Sequence, residues 1–378
     1  MKEHNERIKI FDIAKGISII LMTVGRYDFI DMYPYLIKFQ NVASFFRMPT
    51  FIFVSGYLFS DRLNFKRFLY FKIDGLLKPL ISFILSLTLL YIIFNAIFSD
   101  VAILREILES IKNLARYFYH GSFDSINVSF WFIGALFLGQ VALKGFLEIK
   151  GFNKPLKYLF FLLFFLMLFF INAIKVKFYW TEYIPIFFTY LLIGYIFQKI
   201  SKRYLGGTSF FYSKTMIVFP ILFFISIYIL NQLNIKINFH LAGLEYNYHY
   251  ILVLSLLGVF TVLYFCRYFE KIPILNSFLI YCSKASFFIL AFHIFIKDVY
   301  YALFDLTTYN PLLHTSLFLL NIILCCLIYR FLQRVPFVRI LCYPIKILRL
   351  NNAEIKLLKS NYINRFIPKD ILYNIVVR

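Results

Sequence analysis

The chain has 378 residues, 61% hydrophobic and 16% charged, with a formal net charge of +21 and a mean hydropathy of +0.75. A soluble domain is near half apolar and about a quarter charged, so a soluble globular protein is excluded. Apolar runs of about 20 residues, enough to cross a ~30 Å hydrocarbon core, recur along the chain and define an all-α, polytopic membrane bundle.

Ten spans are predicted, near residues 10–30, 42–59, 76–98, 129–146, 156–174, 183–200, 216–233, 249–266, 285–304 and 312–332. The charged start MKEHNERIKIFD leads into an apolar stretch without a small-residue cleavage site, which reads as a retained first span. With the N-terminus in the cytoplasm, 30 of the 40 Lys+Arg but only 9 of the 19 Asp+Glu fall on the cytoplasmic side. The whole +21 then lies inside, as the positive-inside rule requires, and an even span count leaves both termini there. The basicity therefore reports topology and anionic lipid, and no nucleic acid partner is expected.

Charged residues inside spans are costly and usually face a bundle interior or a wet cavity. In the first span, DIAKGISIILMTVGRYD carries Asp12 and Lys15, three residues apart and so on one helix face. Arg26 follows eleven residues later, roughly 16 Å along a helix, and Asp28 and Asp31 come next. The second span, FFRMPTFIFVSGYLF, brings in Arg47 at similar depth, with Pro49 expected in its first turn and Ser55, Gly56 and Tyr57 further along. Two readings stand for the arginine pair. They are snorkelling side chains held by Asp28, Asp31 and headgroups, or they form a cationic cleft for an anionic or polar substrate.

Further along, Trp131 opens the fourth span as an interfacial anchor or a substrate contact, and His293 lies inside the ninth as a helix contact or a functional group. His120, His240, His249 and His314 read as surface residues of outer loops and span ends. The long outer loop at 99–128 reads as solvated or as a sugar contact through Tyr117, Tyr119, His120 and Asp124. The five cysteines have no CxxC spacing and read as small buried hydrophobes. No HExxH, Walker-type or GxSxG motif is present, so metalloprotease, nucleotide-driven pump and hydrolase readings lack support, and no metal is expected. Beyond residue 335 a segment with Arg339, Lys346, Arg349, Lys356, Lys359, Arg365 and Lys369 reads as a basic amphipathic tail, residues 336–378. It lies on the inner leaflet or docks a cytoplasmic partner. Residues 1–335 form the membrane domain.

The runs FDIAKGISIILMTVG, FFRMPTFIFVSGYLF, WFIGALF, LLIGYIF and FFILAFHIFI, with Lys78-Pro79 closing a basic stretch, resemble the acyltransferase 3 family over residues 7–335. The resemblance implies a membrane-embedded O-acyltransferase of about ten spans in the cytoplasmic (inner) membrane of a bacterium. Such an enzyme transfers an acyl group, often acetyl from acetyl-CoA, to a hydroxyl of a cell-surface polysaccharide, a lipid-linked glycan or a small molecule. Acyl-CoA enters as co-substrate, with no bound cofactor, and Lys15, Lys72 and Lys78 are expected to attract its phosphates.

Three positions depart from the family pattern. Lys15 fills a basic position that is followed, after ten residues, by a histidine regarded as catalytic; here that position holds Arg26. Arg47 stands where many members have histidine, and Lys72 with Gly75 replaces an Arg-x-x-Arg pair. A guanidinium stays protonated and has no acceptor, so Arg26 cannot take a proton. It can stabilise an oxyanion or clamp a carboxylate or phosphate. The base role then falls to His293, Asp28 or Asp31. Alternatively the chain is a catalytically inactive member that binds or translocates an anionic or acylated glycolipid.

Overall fold

The computed structural model describes residues 8–98, 105, 107–109, 111–112, 130–149, 184–233, 248–304, 306 and 308–344. Helices dominate the described residues, which contain no strand. Helix α1 spans Lys9–Val24, and a 3-10 turn at Asp28–Met32 leads into α2, Pro34–Tyr57. After α3, Phe65–Lys72, a π turn at Ile73–Leu77 runs into α4, Lys78–Phe98. Then come α5, Trp131–Glu148, α6, Ile184–Tyr204, α7, Val218–Gln232, and α8, Tyr248–Phe269. The last four are α9, Pro273–Lys284, α10, Ser286–Leu303, α11, Pro311–Leu332, and α12, Pro336–Cys342.

Local chemistry sets several starts. Pro34, Pro273 and Pro311 sit in the first turn of α2, α9 and α11, where the missing N–H costs nothing. The side chains of Asn64 and Asn310 accept from the Arg67 and Leu313 amides, each at 3.0 Å, and cap α3 and α11.

Seven helices are long and apolar enough to cross a membrane, within 65–98, 131–148, 184–204, 214–232, 250–269, 286–303 and 311–332. They coincide with seven of the predicted spans. Helices α1 and α2 match two more, but α1 has only 16 residues and the 24 residues of α2 include Lys38 and Arg47. The span predicted at 156–174 lies outside the described residues, as does the tail from 345.

Helices α1 and α2 form the centre, α1 against α8, α9 and α10, and α2 against α6 and α8. They run antiparallel: Phe11 packs on Tyr57 at 4.7 Å, Lys15 lies 5.3 Å from the Phe51 ring, and Arg47 reaches Leu21. Glycines let the backbones touch, as in other membrane helix pairs. A Cβ on Gly56 would overlap the Leu191 carbonyl of α6, and one on Gly194 would overlap the Phe53 carbonyl of α2. Gly16 gives α9 the same close seat on α1, against Leu279. Helix α9 replaces what the sequence reads as a loop between spans. Outward faces such as Ile221, Phe224 and Ile225 of α7 stay exposed, which suits lipid.

Two boundaries differ from the predicted ones. Helix α2 begins at Pro34, so Pro49 lies inside it and not in its first turn; its ring nitrogen cannot bond the Phe45 carbonyl. Helix α1 ends at Val24, so Arg26 stands in the turn beyond it. The tail begins as α12, which docks on α4 through Ser82 Oγ to Leu341 O at 3.1 Å and Lys78 Nζ to Tyr343 O at 2.7 Å.

Candidate functional site

The end of α1 leaves its last carbonyls without intrahelical partners and carries a partial negative charge. Both favour cations there. Arg47 donates from Nη1 to Leu21 O at 3.3 Å, and Arg26 follows in the turn, close enough for the two charges to repel. Gly25 makes the packing possible, since a Cβ there would stand 2.7 Å from Arg47 Nη1.

Beside this turn is a cleft of about 290 Å³, lined by Gly25, Arg26, Tyr27, Asp28, Ile30, Asp31, Gln40, Ile294 and Lys297. Asp28 pairs with Lys297 at 3.3 Å and leaves Arg26 alone. Among the described residues no carboxylate stands within ion-pair distance of Arg26 or Arg47, so the expected anchoring by Asp28 and Asp31 is not made. The amide nitrogen of Gln40 is buried without a partner.

His293 lies behind the cleft, 1% exposed and within reach of the Arg26 charge. Its Nδ1 is 2.8 Å from Ile289 O. A carbonyl only accepts, so Nδ1 holds a proton, and in the neutral tautomer the lone pair is at Nε2. That nitrogen is buried and has no partner. Asn321, fully buried on α11, donates to His293 O at 2.8 Å and to Tyr27 OH at 2.5 Å, fixing α10 against the turn after α1. Tyr27, Gln40, Lys297 and Asn321 are members that sequence reading missed; Asn321, an amide inside an apolar run, and Lys297, a charge within the ninth predicted span, carried a signal.

The other predicted residues gather elsewhere. Lys15 and Lys72 approach within range of each other's charge, Lys72 5.2 Å from the Phe68 ring, at the opposite end of α1. Asp12 shares that end. Lys78 is bound to Asp74 at 2.6 Å as well as to Tyr343 O. Ser55 bonds back to Phe51 O at 2.7 Å, and Tyr57 is a core residue whose OH meets Ser201 Oγ at 3.0 Å. Trp131 packs against Phe187 at 6.0 Å. His314 is not a surface residue: it is 1% exposed, stacked on Phe29 at 4.3 Å with Tyr33 OH 2.7 Å from Nδ1. The 3-10 turn folds its aromatic side chains over the start of α11, which buries the ring. His120 and His240 lie outside the described residues, as do Tyr117, Tyr119 and Asp124. Four cysteines are buried, Cys342 is partly so, and all five are free. No metal-binding cluster occurs among the described residues.

An all-helical membrane bundle, with a polar cleft at one end of its two central helices, is the class of protein these features define. A family model for an acyltransferase domain matches residues 8–330, and the chain belongs to this acyltransferase 3 family. It is a multi-pass membrane acyltransferase. No curated protein and no solved structure matches the chain.

Proposed function

We propose that the protein transfers acetyl or another short acyl group from acyl-CoA to a hydroxyl of a cell-surface polysaccharide or lipid-linked glycan, in a bacterial inner membrane. The acceptor meets the Arg26 cleft from outside, and the donor's phosphates approach Lys15 and Lys72 from the cytoplasm. The observation that carries this reading is the buried, unpartnered Nε2 of His293 beside the cleft of an acyltransferase-family chain. His293 takes the role of base. The acceptor oxygen attacks the thioester carbonyl while its proton passes to Nε2. Arg26 stabilises the oxyanion, and collapse breaks the C–S bond and returns the proton to the departing thiolate. Asp28, held by Lys297, shapes the mouth. Because Nε2 is buried, acceptor binding has to open a path to it.

Acyl transfer in membranes containing wild type, Arg26→His, Arg26→Ala and His293→Ala tests this. Wild type should turn over, Arg26→Ala should lose about 100-fold, and His293→Ala should lose about 100-fold or more. Undiminished turnover by His293→Ala overturns its role as base. The second reading, a binder or translocator of an anionic glycolipid, draws on the permanent charge of Arg26. Silence in wild type with activity gained by Arg26→His would show a cleft intact except for its base and favour this second reading.

A further inference from the structure

Arg26 and Arg47 are two guanidiniums close enough to repel one another, and among the described residues no carboxylate is within ion-pair distance of either. Arg26 has no side-chain hydrogen bond to a described residue, and Arg47 has one, to Leu21 O. Each guanidinium has five N–H donors in a planar fork, so most remain unused. Gln40 adds a buried amide nitrogen with no acceptor, placed against the same glycine, Gly25, as Arg47. The acidic groups of the cleft do not satisfy these donors. Asp28 is bound to Lys297, and Asp31 is exposed at the rim, whereas Arg26 and Arg47 are only part-exposed.

We propose that this donor set seats an oxyanion of the acceptor, a carboxylate or phosphate group, so that the protein selects acidic over neutral sugars. The inference rests on the acyltransferase reading for the word acceptor, but the anion seat stands on geometry alone. A cavity near 290 Å³ is at the small end of ligand pockets, about 300–1,000 Å³, and suits one sugar unit with its charged substituent. The seat would also orient the unit: an anion on the arginine fork fixes which hydroxyl faces the His293 side of the cleft.

Binding of glucose, glucuronate and glucose 6-phosphate to the purified full chain in nanodiscs tests the proposal. Wild type should bind at least one of the two acidic sugars about tenfold or more tightly than glucose, and the tighter one identifies the oxyanion. Arg26→Gln and Arg47→Gln should each remove most of that preference. Gln40→Leu, which changes no charge, should lower it by about threefold and serves if an arginine variant does not fold. Equal binding of all three sugars, no binding of any, or a preference untouched by these substitutions would overturn the anion seat. Acyl transfer measured in parallel decides the other question. Selective binding without turnover supports the seat and counts against the enzyme reading.

Discussion

The bond from Arg47 to Leu21 O spends one donor on capping the end of α1 and leaves the rest of its fork for a ligand. Arg26 makes no such bond to a described residue and has its whole fork to offer. Their shared residue type hid the difference, because spacing along two helices gives depth but not what each side chain touches. The same limit applies to His293, whose place in an apolar run was legible, while its tautomer depends on the Ile289 carbonyl. Asn321 shows what holds the site together. Its amide bonds both His293 O and Tyr27 OH from a fully buried position. Removing it takes the second donor from the His293 carbonyl, which keeps its helix partner, and the donor from the buried Tyr27 hydroxyl, at about 1–3 kcal/mol for the group left unpaired. Asn321→Leu, alike in branching but without polar atoms, should therefore lower the melting temperature in detergent and reduce acyl transfer together. Asn321→Asp should do no better, since an ionised carboxylate has no donor for the His293 carbonyl. A melting temperature equal to wild type in both variants would remove Asn321 from this role. Along the chain Asn321 stands 28 residues from His293 and 294 from Tyr27, and no periodicity links them.

At the scale of elements, helix existence was readable from apolar runs, and the proline starts of α9 and α11 mark where the chain turns. What periodicity missed were the interruptions: the 3-10 turn after Val24, the π turn at Ile73–Leu77, and α9 on the α1 glycine. Each depends on contacts with another element. The connection from α2 to α3 is such a case, because Asp61 ties it to α5 and α6. Its carboxylate accepts from Tyr195 OH at 2.6 Å and Lys199 Nζ at 3.2 Å, and its backbone oxygen accepts from Lys144 Nζ at 3.1 Å. Lys144 is 2% exposed and paired with Glu148 at 2.9 Å. The Tyr195 hydroxyl, more than Lys199, holds the Asp61 carboxyl below its usual range. A depressed folded-state value contributes stability above the unfolded value, near 3.9, and that contribution disappears as pH falls through the folded value. The melting temperature of Asp61→Asn should thus fall below wild type at pH 7, and the gap should shrink as the pH drops below about 3.9. A gap of constant size across this range would show that the ionised form of Asp61 is not what stabilises the loop. The Asp61 side chain is 41% exposed, so the effect is modest.

For the whole molecule, the directions of packed helices constrain how the chain threads. Helices α1 and α2 are antiparallel. So are α10 and α11, in which Phe288 faces Tyr329 and Asn321 faces His293. Helices α4 and α10 run the same way, since Phe83 packs on Phe288 and Phe292 while Tyr91 bonds Asp298. These relations match the alternation of a ten-span chain, in which the third and ninth spans share a direction. Charge gives the sidedness that packing cannot. In that alternation 30 of the 40 Lys+Arg lie on one side, and short loops rich in Lys and Arg are retained in the cytoplasm. We propose on this ground that the Arg26 cleft opens outward and the Lys15–Lys72 pair faces the cytoplasm, the arrangement that the proposed transfer from a cytoplasmic donor to a surface acceptor needs. Reporter fusions read this directly. Fluorescent-protein fusions after residues 206 and 378 should glow, and alkaline phosphatase fused after residue 240 should be active. An active phosphatase at residue 378, or a fluorescent fusion at 240, would invert the arrangement and place the arginine cleft on the wrong side for a surface glycan. Replacing the basic residues near one cytoplasmic loop should shift only the reporters beside it, because the remaining Lys and Arg continue to hold the other loops inside.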